Sequence, residues 1–422
     1  MDKKQKEKIF QTFTDLFFCG KSKDAYMMLD KHMQEALSQD RILTVVKQLE
    51  FQFGAYRSVE NITVSKTANA GIDTLKALCQ FSDKSGDLTA TIDNEGKIIG
   101  FFIKPHTSFT EPSYARHDRF TEQEIEIPSA HLRLKGTLSL PQSDAPVPCV
   151  VLVHGSGPCD RDETVGSIKV FRDLAWGLAS NGIAVLRYEK RSRQFPNEPI
   201  NTVNDETVDD AIAAVEFLKT QSAVDQTKLI VLGHSLGALM IPRIAQREKK
   251  LAGLIICAGP TRKLEDIVVY QIAYIDSVNG VASGSENLQR AKAQAQIIRT
   301  LGEKDNAAES KLLLGIKPSW WLDIKDYDPI KTANATDQPL LIIQGERDYQ
   351  VTLEDFKGWQ KGMKDRQHVS LKCYPGLAHT FTSAFDKPGP GDYDKPQNVS
   401  SEVIEDLSAW IKGLTPSTPP AP

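Results

Sequence analysis

Apolar and polar positions follow two rhythms along this chain, and the change between them divides it. Up to about residue 104, Ile9, Phe10, Phe13, Leu16 and Phe17 recur at helical spacing, and Gly20 stands where a C-terminal cap would. The pattern predicts a second helix over residues 24–37. A third runs from Asp40, as N-cap, through Leu43, Val46, Leu49 and Phe53 to Gly54. Short strand-like segments follow near 57–67, 73–82, 87–93 and 97–103, with turn chemistry in Asn94-Glu95-Gly96. Helices ahead of an antiparallel meander predict a small α+β domain over 1–104, with no convergent catalytic set.

Residues 105–122 are polar and irregular and read as a linker. A domain over 123–415 then opens with two antiparallel strands (IEIPSAHLRLKGTLSLP). The run PCVVLVHG is continuously β-branched, as a strand covered on both faces requires. Strands IAVLRYE, KLIVLG, LAGLIICAG, PLLIIQG and VSLKCYP alternate with helical FRDLAWGLAS, VDDAIAAVEFLKT, ALMIPRIAQRE, LEDFKGWQKGM and SEVIEDLSAWIKGL. That alternation predicts an α/β fold, a mostly parallel sheet flanked by helices. It pauses over 261–338, a helical stretch expected to form a cap insertion. The Pro-rich tail 416–422 is expected to be disordered.

Composition narrows the function classes. The 422 residues carry a formal charge of −4, and no basic block marks a nucleic-acid or anionic-membrane surface. The start MDKKQKEKIF lacks the apolar core of a signal peptide. This predicts a cytoplasmic protein, or a periplasmic or secreted one if a leader was trimmed. Six cysteines lie far apart without a CxxC pair, which argues against zinc and against a disulfide framework. Cys149, Cys257 and Cys373 read as small core residues.

The chemistry centres on Gly233-His234-Ser235-Leu236-Gly237. Gly-x-Ser-x-Gly arises by accident in about one chain of this length in seven, so its setting matters more than its match. Here a strand turns directly into a helix at Ser235, and the flanking glycines remove side chains that would clash. A serine nucleophile needs a base, a group to hold that base, and donors for the oxyanion. Asp348, leaving strand LLIIQG, fits the acid, with Glu346 its closest rival and Asp355 read as helix surface. His379, after the last strand, fits the base; His234 is expected to shape the turn and His154 to brace its loop. The amides of Leu236 and of Ser156, in the His154-Gly155-Ser156-Gly157-Pro158 loop, fit the oxyanion hole. The order Ser235, Asp348, His379 is that of the α/β-hydrolase fold.

From about 124 to 415 the chain resembles bacterial α/β-hydrolase esterases of the dienelactone-hydrolase-like kind. The matches are VLVHGSGPCDRDET, FRDLAWGLASNGIAVLRYEKR, VLGHSLGA, LLIIQGERDYQV and YPGLAHTF. The resemblance implies a triad of Ser235, Asp348 and His379 with an oxyanion donor at Ser156. True dienelactone hydrolases use cysteine, so serine here favours ordinary carboxylic esters. Ala238 and Glu189 depart from the family pattern without touching the triad. Residues 1–104 resemble a cystatin-like domain of unknown function that precedes some such esterases.

The expectation is therefore a serine carboxylesterase acting on small esters without metal or organic cofactor, and the resemblance implies short-chain acyl esters. Trp320 and Trp321 are candidates for the apolar substrate lining. A serine peptidase or acyltransferase, and last a binding protein with an inert core, are the alternatives. No nucleic-acid or membrane partner is expected, and the amino-terminal domain makes a homodimer one outcome to test. The charged stretches Asp160–Glu163 and Arg187–Arg191 read as an ion-pair network before they read as a polar substrate site.

Overall fold

The computed structural model describes residues 1–66, 71–106, 109–281, 284–302, 312–385, 387–393 and 395–414. Residues 416–422 lie outside them. Two compact units emerge, Met1–Ser108 and Phe109–Pro422.

The first unit packs α1 (Lys3–Phe18), α2 (Ser22–Met28), α3 (Lys31–Ala36) and α4 (Gln39–Phe53) with a sheet of β1 (Tyr56–Lys66), β2 (Asp73–Phe81), β3 (Ser85–Ile92) and β4 (Ile98–Pro105), antiparallel in sequence order. Phe10, Phe13 and Phe17 of α1 meet Ile42 and Val46 of α4 and Leu75 and Cys79 of β2 in one core. The helix expected over 24–37 is two. Leu29 is extended, and the Asp30 side chain accepts from the Met33 amide, which restarts the helix as α3. An aspartate that can cap outcompetes continuation of the helix there. Ser38, rather than Asp40, caps α4.

The second unit holds β5 (Phe120–Ser129), β6 (Leu132–Pro141), β7 (Val147–Val153), the small ribbon β8 (Thr164–Val165) and β9 (Ile168–Lys169), α5 (Val170–Ser180) and β10 (Ala184–Tyr188). Next come α6 (Arg191–Gln194), α7 (Asp209–Leu218), β11 (Val224–His234), α8 (Leu236–Arg247) and β12 (Gly253–Cys257). Helices α9 (Leu264–Val278), α10 (Glu286–Thr300), α11 (Pro318–Ile324) and α12 (Pro329–Asn334) form the insertion. The unit closes with β13 (Leu340–Gly345), α13 (Leu353–Gly362), β14 (Val369–Tyr374) and α14 (Ser401–Gly413).

Its sheet runs β14-β13-β12-β11-β7-β10-β6-β5. The strands from β14 to β10 pair in parallel, and β6 is antiparallel to both its neighbours. Alternate residues of β7 serve opposite faces. Cys149, Val151 and Val153 pack with α7, α8 and α13, whereas Val150 and Leu152 pack with α5 and α14. The chain steps from β7 to β10 on one side and returns to β11 on the other. That reversal opens a crevice beyond the carboxyl ends of β7 and β11, where open parallel sheets hold their ligands.

Three expectations need correction. Residues 109–119, read as linker, are part of the second unit: the Tyr114 hydroxyl donates to the Val399 carbonyl at 2.8 Å, and the Arg116 amide to Ser180 Oγ at 2.8 Å. Its strands also begin inside the supposed linker, at Phe120, while β4 reaches Pro105. Isolated apolar groups in a polar stretch carry no period, so their burial is invisible in the pattern. Asp355 is not surface. It is fully buried and accepts from the Thr261 and Arg262 amides, with the Arg262 guanidinium 2.7 Å away, so it anchors the start of the insertion. The insertion is also not all cap, because α12 packs on α8 and α13 in the main helical layer. Cys149 and Cys257 are buried as expected and Cys373 half-buried; none of the cysteines is in a disulfide.

Candidate active site

Ser235 sits between β11 and α8 with φ 54° and ψ −114°, a backbone conformation that side chains rarely tolerate. The neighbouring glycines make it feasible. A Cβ on Gly233 would lie 2.4 Å from the Gly237 carbonyl carbon, and one on Gly237 would lie 2.1 Å from the Val153 carbonyl oxygen. The turn is therefore wedged against the end of β7. Gly155 completes the packing, since a Cβ there would stand 3.2 Å from the Ser235 Cβ. A strained serine held this way is a feature of nucleophile elbows.

Asp348 follows β13 and is almost wholly buried. Its Oδ1 accepts from the amides of Gln350 (2.7 Å) and Val351 (3.0 Å), and its Oδ2 accepts from Gln344 Nε2 (3.0 Å). That leaves Oδ2 to meet Nδ1 of His379 at 2.6 Å. Glu346, the rival carboxylate, is exposed. His379 reaches Asp348 because its loop lies flat on the end of β13: a Cβ on Gly345 would come 2.5 Å from the carbonyl oxygens of Leu377 and Ala378.

The structure thus joins Asp348 directly to His379. Beside Ser235 in the turn, His234 has its ring 4.6 Å from that of His379, tilted by 44°, and its Nε2 meets the His379 carbonyl oxygen at 2.9 Å. Among the described residues the Ser235 hydroxyl makes no hydrogen bond of its own. Serine–histidine bonds in hydrolases often tighten only around substrate. The Ser156 and Leu236 amides donate to no protein acceptor among the described residues, and both residues line the cavity that contains Ser235.

That cavity is about 750 Å³ and is walled by Leu264, Ile267, Leu314, Trp320, Trp321 and Val351, among others. The size suits a small organic ligand. Trp320 and Trp321 are also nearly wholly buried, packed edge to face at 5.2 Å, and Trp321 Nε1 donates to the Leu313 carbonyl. They are wall and insertion core at once.

Glu163 and its pairing with His234 escaped the sequence. Glu163 is buried; its Oε1 accepts from the Gly155 amide at 2.6 Å, and its Oε2 stands 3.0 Å from His234 Nδ1, an ion-pair distance without the angle of a hydrogen bond. Burial works against both charges. The Glu163 carboxylate, with the His379 carbonyl, nevertheless holds the His234 pKa above its usual value, and His234, His154 and the Gly155 amide hold Glu163 below its own. His154 is different: burial pushes it down to about 4, and it braces the loop as a neutral ring with Nε2 at 3.1 Å from the Asp160 carbonyl. The neighbouring charges form the expected network, with Asp162 held by Arg187, Arg172 and Lys169, and Arg161 bridging Glu124 and Glu189. No group of three His, Cys, Asp or Glu among the described residues could hold a metal ion, and no helix among them is long and apolar enough to cross a membrane.

Residues 144–386 match the family model described as serine aminopeptidase, S33, and residues 11–101 match a family described as a protein of unknown function. Esterase EstD of Thermotoga maritima is 33% identical over 390 residues, covering 92% of this chain and 90% of that protein. A Bacteroides ovatus structure, described provisionally as a dipeptidyl aminopeptidase IV, superposes with a TM-score of 0.50 at 15% identity, over 85% of this chain and 44% of that one. Est1E from Butyrivibrio proteoclasticus, with ferulic acid bound, gives a TM-score of 0.46 at 16% identity, over 69% of this chain and 98% of that one.

Proposed function

As a member of the α/β-hydrolase superfamily of serine esterases, the chain is a carboxylic ester hydrolase, and we propose that Ser235, His379 and Asp348 are its catalytic triad. Ser235 Oγ attacks the ester carbonyl carbon while its proton passes to Nε2 of His379. Asp348 Oδ2 keeps the Nδ1 proton and stabilises the imidazolium. The amides of Ser156 and Leu236 donate to the oxyanion. Collapse expels the alcohol, which takes the proton from His379. Water then attacks the acyl-enzyme by the same route, releasing the acid and restoring Ser235. The observation that best supports this reading is the buried 2.6 Å contact between His379 and Asp348 beside the strained Ser235 turn.

Short acyl chains are the proposed substrates, with Trp320 and Trp321 in the wall of the cavity that receives them. Turnover of p-nitrophenyl esters of increasing acyl length, and of aminoacyl p-nitroanilides, tests the reading in wild type and Ser235→Ala. Ester turnover that peaks at short chains and vanishes with the substitution is the expected result. Anilide turnover equal to ester turnover would instead identify a peptidase, the reading that the S33 description keeps alive.

A further inference from the structure

Lys190, just past β10, is almost wholly buried, and the reaction described above does not use it. Its Nζ donates to the Gly155 carbonyl at 2.7 Å. The carboxylate that offsets its charge, Glu206 in the π-helical turn Asn204–Val208 ahead of α7, stands farther off at 3.6 Å. A buried ammonium is costly to keep, yet its shortest polar contact here is a neutral peptide carbonyl. The main chain of Lys190 holds the same loop farther along, its amide donating to the Cys159 carbonyl at 3.2 Å. On the other side of Gly155, the amide donates to Glu163 Oε1 at 2.6 Å. Buried charges of opposite sign therefore grip the two polar groups of one glycine, which abuts Ser235.

The carbonyl of Gly155 and the N–H of Ser156 belong to one peptide unit. That unit is trans, so the two groups leave a rigid plane in opposite directions. A lysine that fixes the carbonyl edge thereby fixes the direction of the N–H edge. Ser156 lines the Ser235 cavity, and its amide donates to no protein acceptor among the described residues. The ammonium also draws electron density away from the amide nitrogen, and hydrogen bonds in series strengthen one another. We propose that Lys190 is a positioning residue of the oxyanion hole, aligning and polarising the Ser156 amide through the Gly155 carbonyl. The proposal rests on attack by Ser235 with the Ser156 amide as an oxyanion donor.

The test compares p-nitrophenyl butyrate with its thiono analogue, in which C=S replaces C=O, using the full chain. Sulfur accepts hydrogen bonds weakly, so an oxyanion hole speeds the oxygen ester far more than the sulfur one. Wild type is expected to prefer the oxygen ester in kcat/KM by about 100-fold more than hydroxide ion does. Lys190→Met is expected to shrink that preference by about tenfold or more, because oxygen-ester turnover falls while thiono-ester turnover holds. A lysine that only supports the fold would slow both esters by the same factor. That result, or a preference left unchanged, overturns the proposal. Lys190→Met leaves Glu206 buried without its partner, so the double variant Lys190→Met/Glu206→Gln carries the test if the single one does not fold. A wild-type preference no greater than that of hydroxide removes the oxyanion-hole reading and the proposal with it. A large wild-type preference that survives the substitution removes the proposal alone.

Discussion

Glu163 and His234 couple two loops of the site, since one holds the amide of Gly155 and the other the carbonyl of His379. Their shifts set opposite pH limits. The raised His234 contributes stability fully below about pH 6.5 and loses it as pH climbs through its folded value; the lowered Glu163 contributes above about pH 4.5 and loses it as pH falls through its own. Between about pH 4.5 and 6.5 both are fully in force. Glu163→Gln keeps an acceptor for Gly155 but removes the charge, and is expected to lower kcat about tenfold, as modest misplacement of reacting groups does. Saturating ester kinetics, with a denaturant midpoint to report folding, check this. Asp348→Asn should cost kcat about 10³- to 10⁴-fold, because the amide stabilises the wrong imidazole tautomer. His154 gives a third residue-scale prediction. Its folded pKa of about 4 means that the unfolded chain takes up its proton first as pH falls from 6.5 to 4, so acid destabilises the fold. Asp173, which burial pushes up to about 7, has the opposite slope over much of that range. The signature is therefore a difference: His154→Asn should gain on wild type by about 3 kcal/mol between pH 6.5 and 4, read from denaturant midpoints. The sequence could name Asp348 and His379 because each ends a recognisable strand. It could not pair Glu163 with His234, since that pairing exists only once β7 and β11 lie side by side.

At the scale of elements, the turns that carry the site depend on missing side chains. Gly237→Ala drives a methyl into the Val153 carbonyl and Gly345→Ala into the loop of His379. Each is expected to destabilise by more than about 2 kcal/mol. Gly345→Ala should also cut ester turnover more than the denaturant midpoint alone would explain, because it displaces His379. The strand-to-helix junction at Ser235 was legible in advance, since β-branched and helical periods meet at the two glycines. The break at Leu29–Asp30 was not: Asp30 can continue a helix or cap one, and tertiary packing decides. Nor did periodicity reveal the π turn at Asn204–Val208, whose extra residue only widens one helical turn.

For the whole molecule, one sheet brings together residues that the chain keeps apart: Ser156 after β7, Ser235 after β11, Asp348 after β13 and His379 after β14, all at carboxyl ends. The α/β alternation made that edge predictable. Which strands are neighbours there followed only from the reversal beside β7. The triad residues and the described residues lining the Ser235 cavity all lie in the second unit, so the fragment 109–422 is expected to retain ester turnover within about twofold of the full chain. A large loss would give residues 1–108 a role in catalysis. The most direct test of the central claim is labelling with a p-nitrophenyl phosphonate, followed by intact-mass and peptide mass spectrometry. One phosphonyl group per chain on Ser235, blocked by Ser235→Ala and sharply slowed in a folded His379→Ala, is the predicted result. Stoichiometric labelling at another residue, or ester turnover that survives in Ser235→Ala, would contradict it.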